Sequence, residues 1–298
     1  MRCSLRALAV AAAAIFPCLQ AVQACAQEGA NPNLSVLPSK VVITYKEPPK
    51  SKPELEPLYA RLRQKKVLEQ LQQFLAPLKL KRNLEVMTAE CGGNFYLPYK
   101  PESPVTICYE FVQLIETVVD DRKWGVVGSS VVTREMFTVG PFVQEVLHNV
   151  ALAVFDIQEI PVWGHTEFAA DNVAAFLMLQ FGSDVAMKTI LGSAFFLDQL
   201  EKVTARNALD YLADIRPTVK QRYYNLLCVA FGGDPVRFAN FVPINRQELV
   251  TDLSIDRANR CVWEYGPLKR AFVETILKPH VDPELQKQVL AMKWLDGQ

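Results

Sequence analysis

One of the chain's three histidines, together with two acidic residues that follow it, could form a metal site. His148 begins the segment 148–152, with the sequence HNVAL, and Glu167 and Asp171 come after it. In many zinc hydrolases a helix places two histidines at positions i and i+4, with a glutamate beside the first as general base and a third ligand on a later helix. His148 occupies the first ligand position of this arrangement. Glu167 is a candidate third ligand, and Asp171, one turn later, is a candidate for orienting the ligands.

The motifs around this segment resemble, in their order, a bacterial secreted domain family of unknown function that is catalogued as putative metallopeptidases. The resemblance covers residues 41–280. It is carried by AECG at 89–92, ICYE at 107–110, the His148 segment, IPVWG at 160–164, Glu167 to Asp171, YNLLC at 224–228, GGDP at 232–235 with Phe238, RC at 260–261 with Glu264 and Tyr265, and LKPH at 277–280. The resemblance implies a zincin-like α+β fold.

The chain departs from the pattern of this family at two positions that carry chemistry. The resemblance implies glutamate at position 149 and histidine at position 152, whereas the chain has Asn149 and Leu152. Asparagine cannot accept a proton from water as a carboxylate does, and leucine cannot bind zinc. With mostly apolar neighbours, His148 is then expected to be a core histidine hydrogen-bonded to a residue such as Glu167. We expect a catalytically inactive metallopeptidase-like protein without a cofactor, which has a binding or scaffolding role in the cell envelope and takes a peptide or an envelope protein as its partner.

Two alternatives remain open at this level. His165 lies on the loop before Glu167 and could replace the missing ligand, giving an active zinc metallopeptidase with the ligands His148, His165 and Glu167. Glu145 precedes His148 by one helical turn on the same face and could replace the general base. In the simpler reading, His165 is a surface histidine and Glu145 is exposed to solvent. The other alternative is a structural envelope protein without a ligand.

The N-terminus has the features of a signal peptide. Arg2 and Arg6 precede an apolar run, and Ala24-Cys25-Ala26 is a small-x-small cleavage site. We therefore expect a signal peptide at 1–26, a linker at 27–40 and a periplasmic or secreted product with no transmembrane span after cleavage. An uncleaved anchor and a lipoprotein attached at Cys25 are the alternatives.

The cysteine content agrees with export. Removing residues 1–26 leaves four cysteines, Cys91, Cys108, Cys228 and Cys261. Four cysteines allow three pairings, of which the simplest joins sequence neighbours as Cys91–Cys108 and Cys228–Cys261. The family resemblance supports both of these pairs. Four free buried thiols are the alternative, although they are more typical of a cytosolic protein.

The hydrophobic pattern predicts an α+β fold, with strands early in the chain and helices late. Strands are predicted at 41–45, 84–91, 94–99 and 105–109, with a hairpin near the first cysteine pair. Helices are predicted at 54–78, 110–120, 132–157, 166–181, 184–203, 218–231, 235–241 and 256–278, with a break at 122–130. Residues 41–280 are expected to form one metallopeptidase-like domain and 281–298 a C-terminal tail.

The composition excludes one class of partner. Half of the residues are apolar and 21% are charged, as in ordinary globular proteins. Basic and acidic residues number 32 each, so the formal net charge is zero. The chain therefore lacks the basic charge typical of proteins that bind nucleic acids.

Overall fold

The computed structural model describes residues 40–119, 124–203, 214, 216–242 and 253–292. The predicted signal peptide at 1–26 lies outside the described residues, as does the predicted linker apart from residue 40. Within the described residues a small sheet comes first and helices dominate thereafter, which confirms the α+β class.

The N-terminal sheet consists of three parallel strands, β1 (Val41–Tyr45), β2 (Leu84–Ala89) and β3 (Val105–Cys108), in that order. The predicted hairpin at this place is therefore wrong, and residues 94–99 form no strand. Because β2 and β3 are parallel, the chain must return from the end of β2 to the end of the sheet at which both strands begin. Residues 90–104 form this connection. Prolines at 98, 101 and 104 suit this irregular segment because proline has no N–H group for a strand ladder.

A hairpin does form where the sequence predicted only a break. Strands β4 (Trp124–Val127) and β5 (Ser130–Thr133) are antiparallel and pair Val127 with Ser130 around the two-residue turn Gly128-Ser129. β-branched residues on both sides of a two-residue turn containing glycine are the usual signature of such a hairpin. Gly128 takes the positive φ of 56° that the turn requires.

The predicted helix at 54–78 is two helices, α1 (Glu56–Gln64) and α2 (Val67–Leu75). Lys66 separates them with a left-handed φ of 50°, a conformation that an α-helix cannot contain. The break lets each helix bury its own apolar side chains, Leu62 on α1 and Leu68 on α2. Periodicity alone could not show it because the apolar residues continue at helical spacing across the break.

The remaining helices follow the predicted order with shifted ends. They are α3 (Tyr109–Val119), α4 (Arg134–Gln158), α5 (Thr166–Met178), α6 (Ser183–Val203), α7 (Val219–Gly233), α8 (Ile255–Phe272) and α9 (Pro283–Leu290). The predicted helix at 235–241 is reduced to a 3-10 turn, Ala239–Phe241. Helix α9 lies within the predicted tail and buries Val289.

Helix α4 is the central element and packs closely against α6. A Cβ added to Gly192 on α6 would lie 1.8 Å from the backbone oxygen of Met136 on α4. A Cβ added to Gly140 on α4 would lie 2.5 Å from the backbone oxygen of Thr189. Both contacts are too short for any side chain, so these two glycines set the distance between the two helices.

Both predicted disulfides are confirmed. Cys91 and Cys108 join the end of β2 to the end of β3 with a Cα–Cα distance of 5.5 Å. Cys228 and Cys261 join α7 to α8 with a Cα–Cα distance of 5.0 Å. Disulfides of this kind are typical of proteins outside the cytoplasm. Among the described residues, no helix is long and apolar enough to cross a membrane.

Candidate functional site

Three helices bring the predicted site residues together. Helix α4 presents Glu145, His148 and Asn149 at positions i, i+3 and i+4, which lie on one helical face. Helix α5 presents Glu167 and Asp171 one turn apart, with Glu167 in its first turn, where a carboxylate is favoured by the helix dipole. All five side chains are buried or nearly so.

His148 is held between two carboxylates. Its Nδ1 lies 2.9 Å from Oδ1 of Asp171, and its Nε2 lies 3.1 Å from Oε2 of Glu167. Burial by itself would lower the pKa of His148, but the hydrogen bonds to Asp171 and Glu167 outweigh it and raise the pKa to about 9. The ring is therefore an imidazolium at neutral pH, and both of its N–H groups donate.

A half-buried arginine joins the same cluster from α7. The Nε and Nη2 atoms of Arg222 donate to both oxygens of Asp171 at 3.0 and 2.8 Å, and Nη2 also lies 3.3 Å from Oε2 of Glu145. Burial would raise the pKa values of Asp171 and Glu145, but the Arg222 charge outweighs it, so both values lie below the ordinary range. Burial opposes the charge of Arg222 as well, and the two carboxylates nevertheless raise its pKa.

The position of Arg222 follows from the start of α7. Thr218 caps this helix by accepting a hydrogen bond from the backbone N of Gln221 at 3.1 Å. The cap begins the helix one turn before Arg222, which directs the guanidinium toward α4 and α5. A second cation, Arg216, precedes the cap and places its Nε 3.9 Å from Oε2 of Glu167.

We call this cluster the six-residue ion network: the carboxylates of Glu145, Glu167 and Asp171 with the cations of His148, Arg216 and Arg222. Sequence analysis named its acids and its histidine but neither arginine. The sequence shows Arg222 next to Tyr223 and Tyr224 in the predicted helix at 218–231. This local pattern does not indicate that Arg222 pairs with Asp171, 51 residues away.

Asn149 and Leu152 occupy the two positions at which the chain departs from the zinc hydrolase pattern. The Nδ2 of Asn149 donates to the backbone oxygen of Glu145 at 2.9 Å and to its Oε1 at 3.1 Å, so this amide acts as a donor. Leu152 is half-buried and packs against an apolar cluster that includes Phe155, Phe176 and Phe272. Position 152 therefore contributes to the hydrophobic core.

His165 is not brought to the network. It is exposed at the residue before α5, where it makes no capping hydrogen bond, and its ring centroid lies 6.3 Å from that of Phe168. Among the described residues, no three His, Cys, Asp or Glu ligand atoms that include an atom of His148 lie within 4.8 Å of one another. Within the same part of the chain, the three residues whose ligand atoms do lie this close together are Cys91, Cys108 and Glu110. Their two cysteines form a disulfide and therefore offer no thiolate.

The donor set around His148 does not fit a zinc ion. Zinc needs a neutral histidine nitrogen and several further ligands in tetrahedral array, whereas both nitrogens of His148 are engaged with carboxylates. The two arginines already balance the carboxylates that a metal would use, and a divalent cation would face their positive charges.

An exposed loop lies beside the network. The guanidinium carbon of Arg216 is 4.1 Å from the ring centroid of Tyr96, which lies between Phe95 and Leu97. These three loop side chains are all exposed, and Trp163, on the loop before α5, is 97% exposed. Arg216 thus connects the ion network to the exposed ring of Tyr96.

Comparison with known proteins identifies a family. A family model, DUF4344, described as a putative metallopeptidase, matches residues 45–276. No curated protein and no solved structure gives a significant match to the chain. The zincin-like part of the predicted fold therefore stays a prediction.

Proposed function

The chain belongs to the DUF4344 family, and we propose that it is an exported, catalytically inactive member that serves as a binding protein in the cell envelope. The observation that carries this proposal is the ion network, in which His148 donates from both ring nitrogens to carboxylates. Such a histidine is an ion-pair partner and has no free lone pair for a metal.

The energetics of His148 support inactivity. Zinc binding at Nε2 requires loss of the proton, and the pKa of about 9 opposes this at pH 7 by a factor of about a hundred. The position of the general base holds the Asn149 amide, which donates to Glu145 and has no proton-accepting carboxylate. Both deficits act on the same reaction, because zinc hydrolysis needs the metal-bound water and the base together.

The charge balance of the network also supports inactivity. Three carboxylates face three cations, and five of the six groups are linked by contacts of 3.3 Å or less, with Arg216 at 3.9 Å. A buried and balanced network of this kind stabilises one arrangement of α4, α5 and α7, and breaking it is costly. We infer that the residues at the position of the family's catalytic site now serve to hold α4, α5 and α7 together.

The exposed aromatic surface supports a binding role. Phe95, Tyr96 and Leu97 are exposed on a loop whose Tyr96 ring contacts Arg216, and Trp163 is almost fully exposed on another loop, the one before α5. Aromatic side chains gain binding energy from contact area at a small entropic cost, and they are enriched in binding surfaces. An extended peptide with apolar side chains is the partner class that this surface would suit. The alternative ligand set His148, His165 and Glu167 has no comparable geometric support.

Metal analysis combined with a peptidase assay tests the proposed inactivity. Protein purified from the cell envelope should contain well under one zinc per chain and show no chelator-sensitive cleavage of a mixed peptide library. The double variant Asn149→Glu/Leu152→His should bind zinc more tightly, because it restores a base and a ligand. Stoichiometric zinc that is lost in His165→Ala and kept in the control His280→Ala would establish the active alternative instead.

Two further measurements test export and binding separately. N-terminal sequencing of the envelope protein should find a chain that begins near residue 27, and an intact Met1 would contradict cleavage. In a peptide-binding screen, Trp163→Ala should weaken the peptides that bind wild type, whereas the control Trp263→Ala on α8, which is also exposed, should not. Equal effects of the two substitutions would refute the assignment of this surface.

A further inference from the structure

A large apolar cavity among the described residues lies away from the ion network. It has a volume of about 360 Å³ and lies between α2, α3 and α4. None of the six network residues lines it. A surface cavity of this volume is in the range of small-molecule binding sites.

The cavity follows from two features of the chain. On α4, Val139, Phe142, Val143, Val146 and Leu147 repeat at helical spacing and line the cavity, whereas Glu145 and His148 on the same helix do not line it. The break at Lys66 gives α2 a direction independent of α1. The apolar side chains of α2 form the opposite wall.

Charged groups are few in the lining and mostly positive. Among the described residues that line it, Arg61, Lys65 and Arg134 are basic and Glu116 is acidic, which gives two net positive charges. Arg61 and Glu116 form an ion pair with each other. Arg61 and Arg134 are exposed and Lys65 is half-buried, so the positive charge lies where the cavity meets the surface.

We propose that this cavity binds a single-chain amphiphile with an anionic head, of which a free fatty acid is the simplest case. The apolar walls of α2 and α4 enclose the alkyl chain, and the basic rim pairs with a carboxylate or a phosphate. Binding by this mode buries one methylene group after another, so affinity should rise about fourfold for each added methylene until the cavity is filled. This site is separate from the peptide surface proposed above.

Isothermal titration of the full exported protein tests this proposal. Decanoate, undecanoate and dodecanoate, each below micelle formation, should bind one per chain with the fourfold increments. Comparing the affinities of dodecyl phosphate and dodecanoate shows whether the site prefers a phosphate ester or a free fatty acid. Saturable binding of either one supports a site for single-chain anionic amphiphiles. Dodecyltrimethylammonium should bind at least tenfold more weakly, and equal binding of this cation would overturn the charge assignment.

Substitutions locate the site. Val143→Trp fills the cavity from α4 and should weaken dodecanoate at least tenfold, whereas the control Val131→Trp places the same side chain on the exposed face of β5 and should not. Lys65→Glu reverses a rim charge on the surface, should weaken dodecanoate about tenfold, and gives the answer even if Val143→Trp does not fold. Absence of saturable binding to wild type, or unchanged affinity in Lys65→Glu, overturns the proposal.

Discussion

The stability of the protein should fall as the pH rises past neutrality, because His148 loses its proton. In the folded protein the hydrogen bonds to Asp171 and Glu167 outweigh the effect of burial and raise the pKa of His148 from 6.5 to about 9. A group whose pKa is raised on folding contributes stability that is complete below the unfolded value, 6.5, and is lost as the pH rises through the folded value. The window for this loss is therefore between pH 6.5 and somewhat above 9.

The magnitude follows from the same two values. A difference of about 2.5 between the folded and unfolded pKa corresponds to about 3 kcal/mol in the free energy of unfolding. This is a large fraction of the 5–15 kcal/mol that stabilises a typical domain. The side chain of His148 is only 6% exposed, so solvent screens these interactions very little.

Urea unfolding measures the effect. Wild type and His148→Gln are unfolded at a series of pH values from 6 to 10 at constant ionic strength, and the free energies are extrapolated to water. Glutamine keeps a side chain that hydrogen-bonds but does not titrate, so subtracting the two curves removes the other titrating groups. The difference should shrink by about 3 kcal/mol across the window.

A second observable tests the cause directly. Because the chain has only three histidines, NMR can follow each imidazole. One ring, absent from the spectrum of His148→Gln, should titrate near pH 9, while burial and the charge of Lys81 lower the pKa of His280. The reasoning is refuted if no ring titrates above its ordinary pKa, or if wild type and the variant lose stability in parallel.

Three further predictions concern stability and are measured by urea unfolding. Arg222→Met should cost about 3–5 kcal/mol because it removes the cation that Glu145 and Asp171 share in a largely buried site. The exposed ion pair removed by Arg257→Met should cost less than about 1 kcal/mol, and equal costs would contradict the burial argument. Gly192→Ala should lower the free energy of unfolding by about 1–3 kcal/mol because the added Cβ would collide with the backbone of α4. The control Gly266→Ala, on α8 with open space around it, should raise it by about 0.5–1 kcal/mol. An unchanged stability in Gly192→Ala would show that α4 and α6 are not in close contact. Cys228→Ser should cost about 2–4 kcal/mol, and no further loss should follow when its partner is also replaced.

Local patterns in the sequence determined the fold class, whereas the cysteine pairs were predicted as the simplest of three pairings and from the family resemblance. Val41–Tyr45 is β-branched and forms a strand, and the late helices follow their apolar periodicity, because both signals depend on neighbouring residues alone. The departures at Asn149 and Leu152 were equally visible, since residue type by itself decides whether a side chain can be a base or a ligand. His148, Glu167 and Asp171 were expected to come together, and they do.

Only the tertiary structure decided the state of that cluster. Arg222 and Arg216 enter from more than 40 residues along the chain, and their charges convert a potential ligand set into balanced ion pairs. The break at Lys66 and the parallel pairing of β2 with β3 also depend on packing between distant segments, as does the cavity between α2 and α4. A single chain without aligned relatives carries no local signal for such contacts, because the free energy that selects them comes from the assembled core.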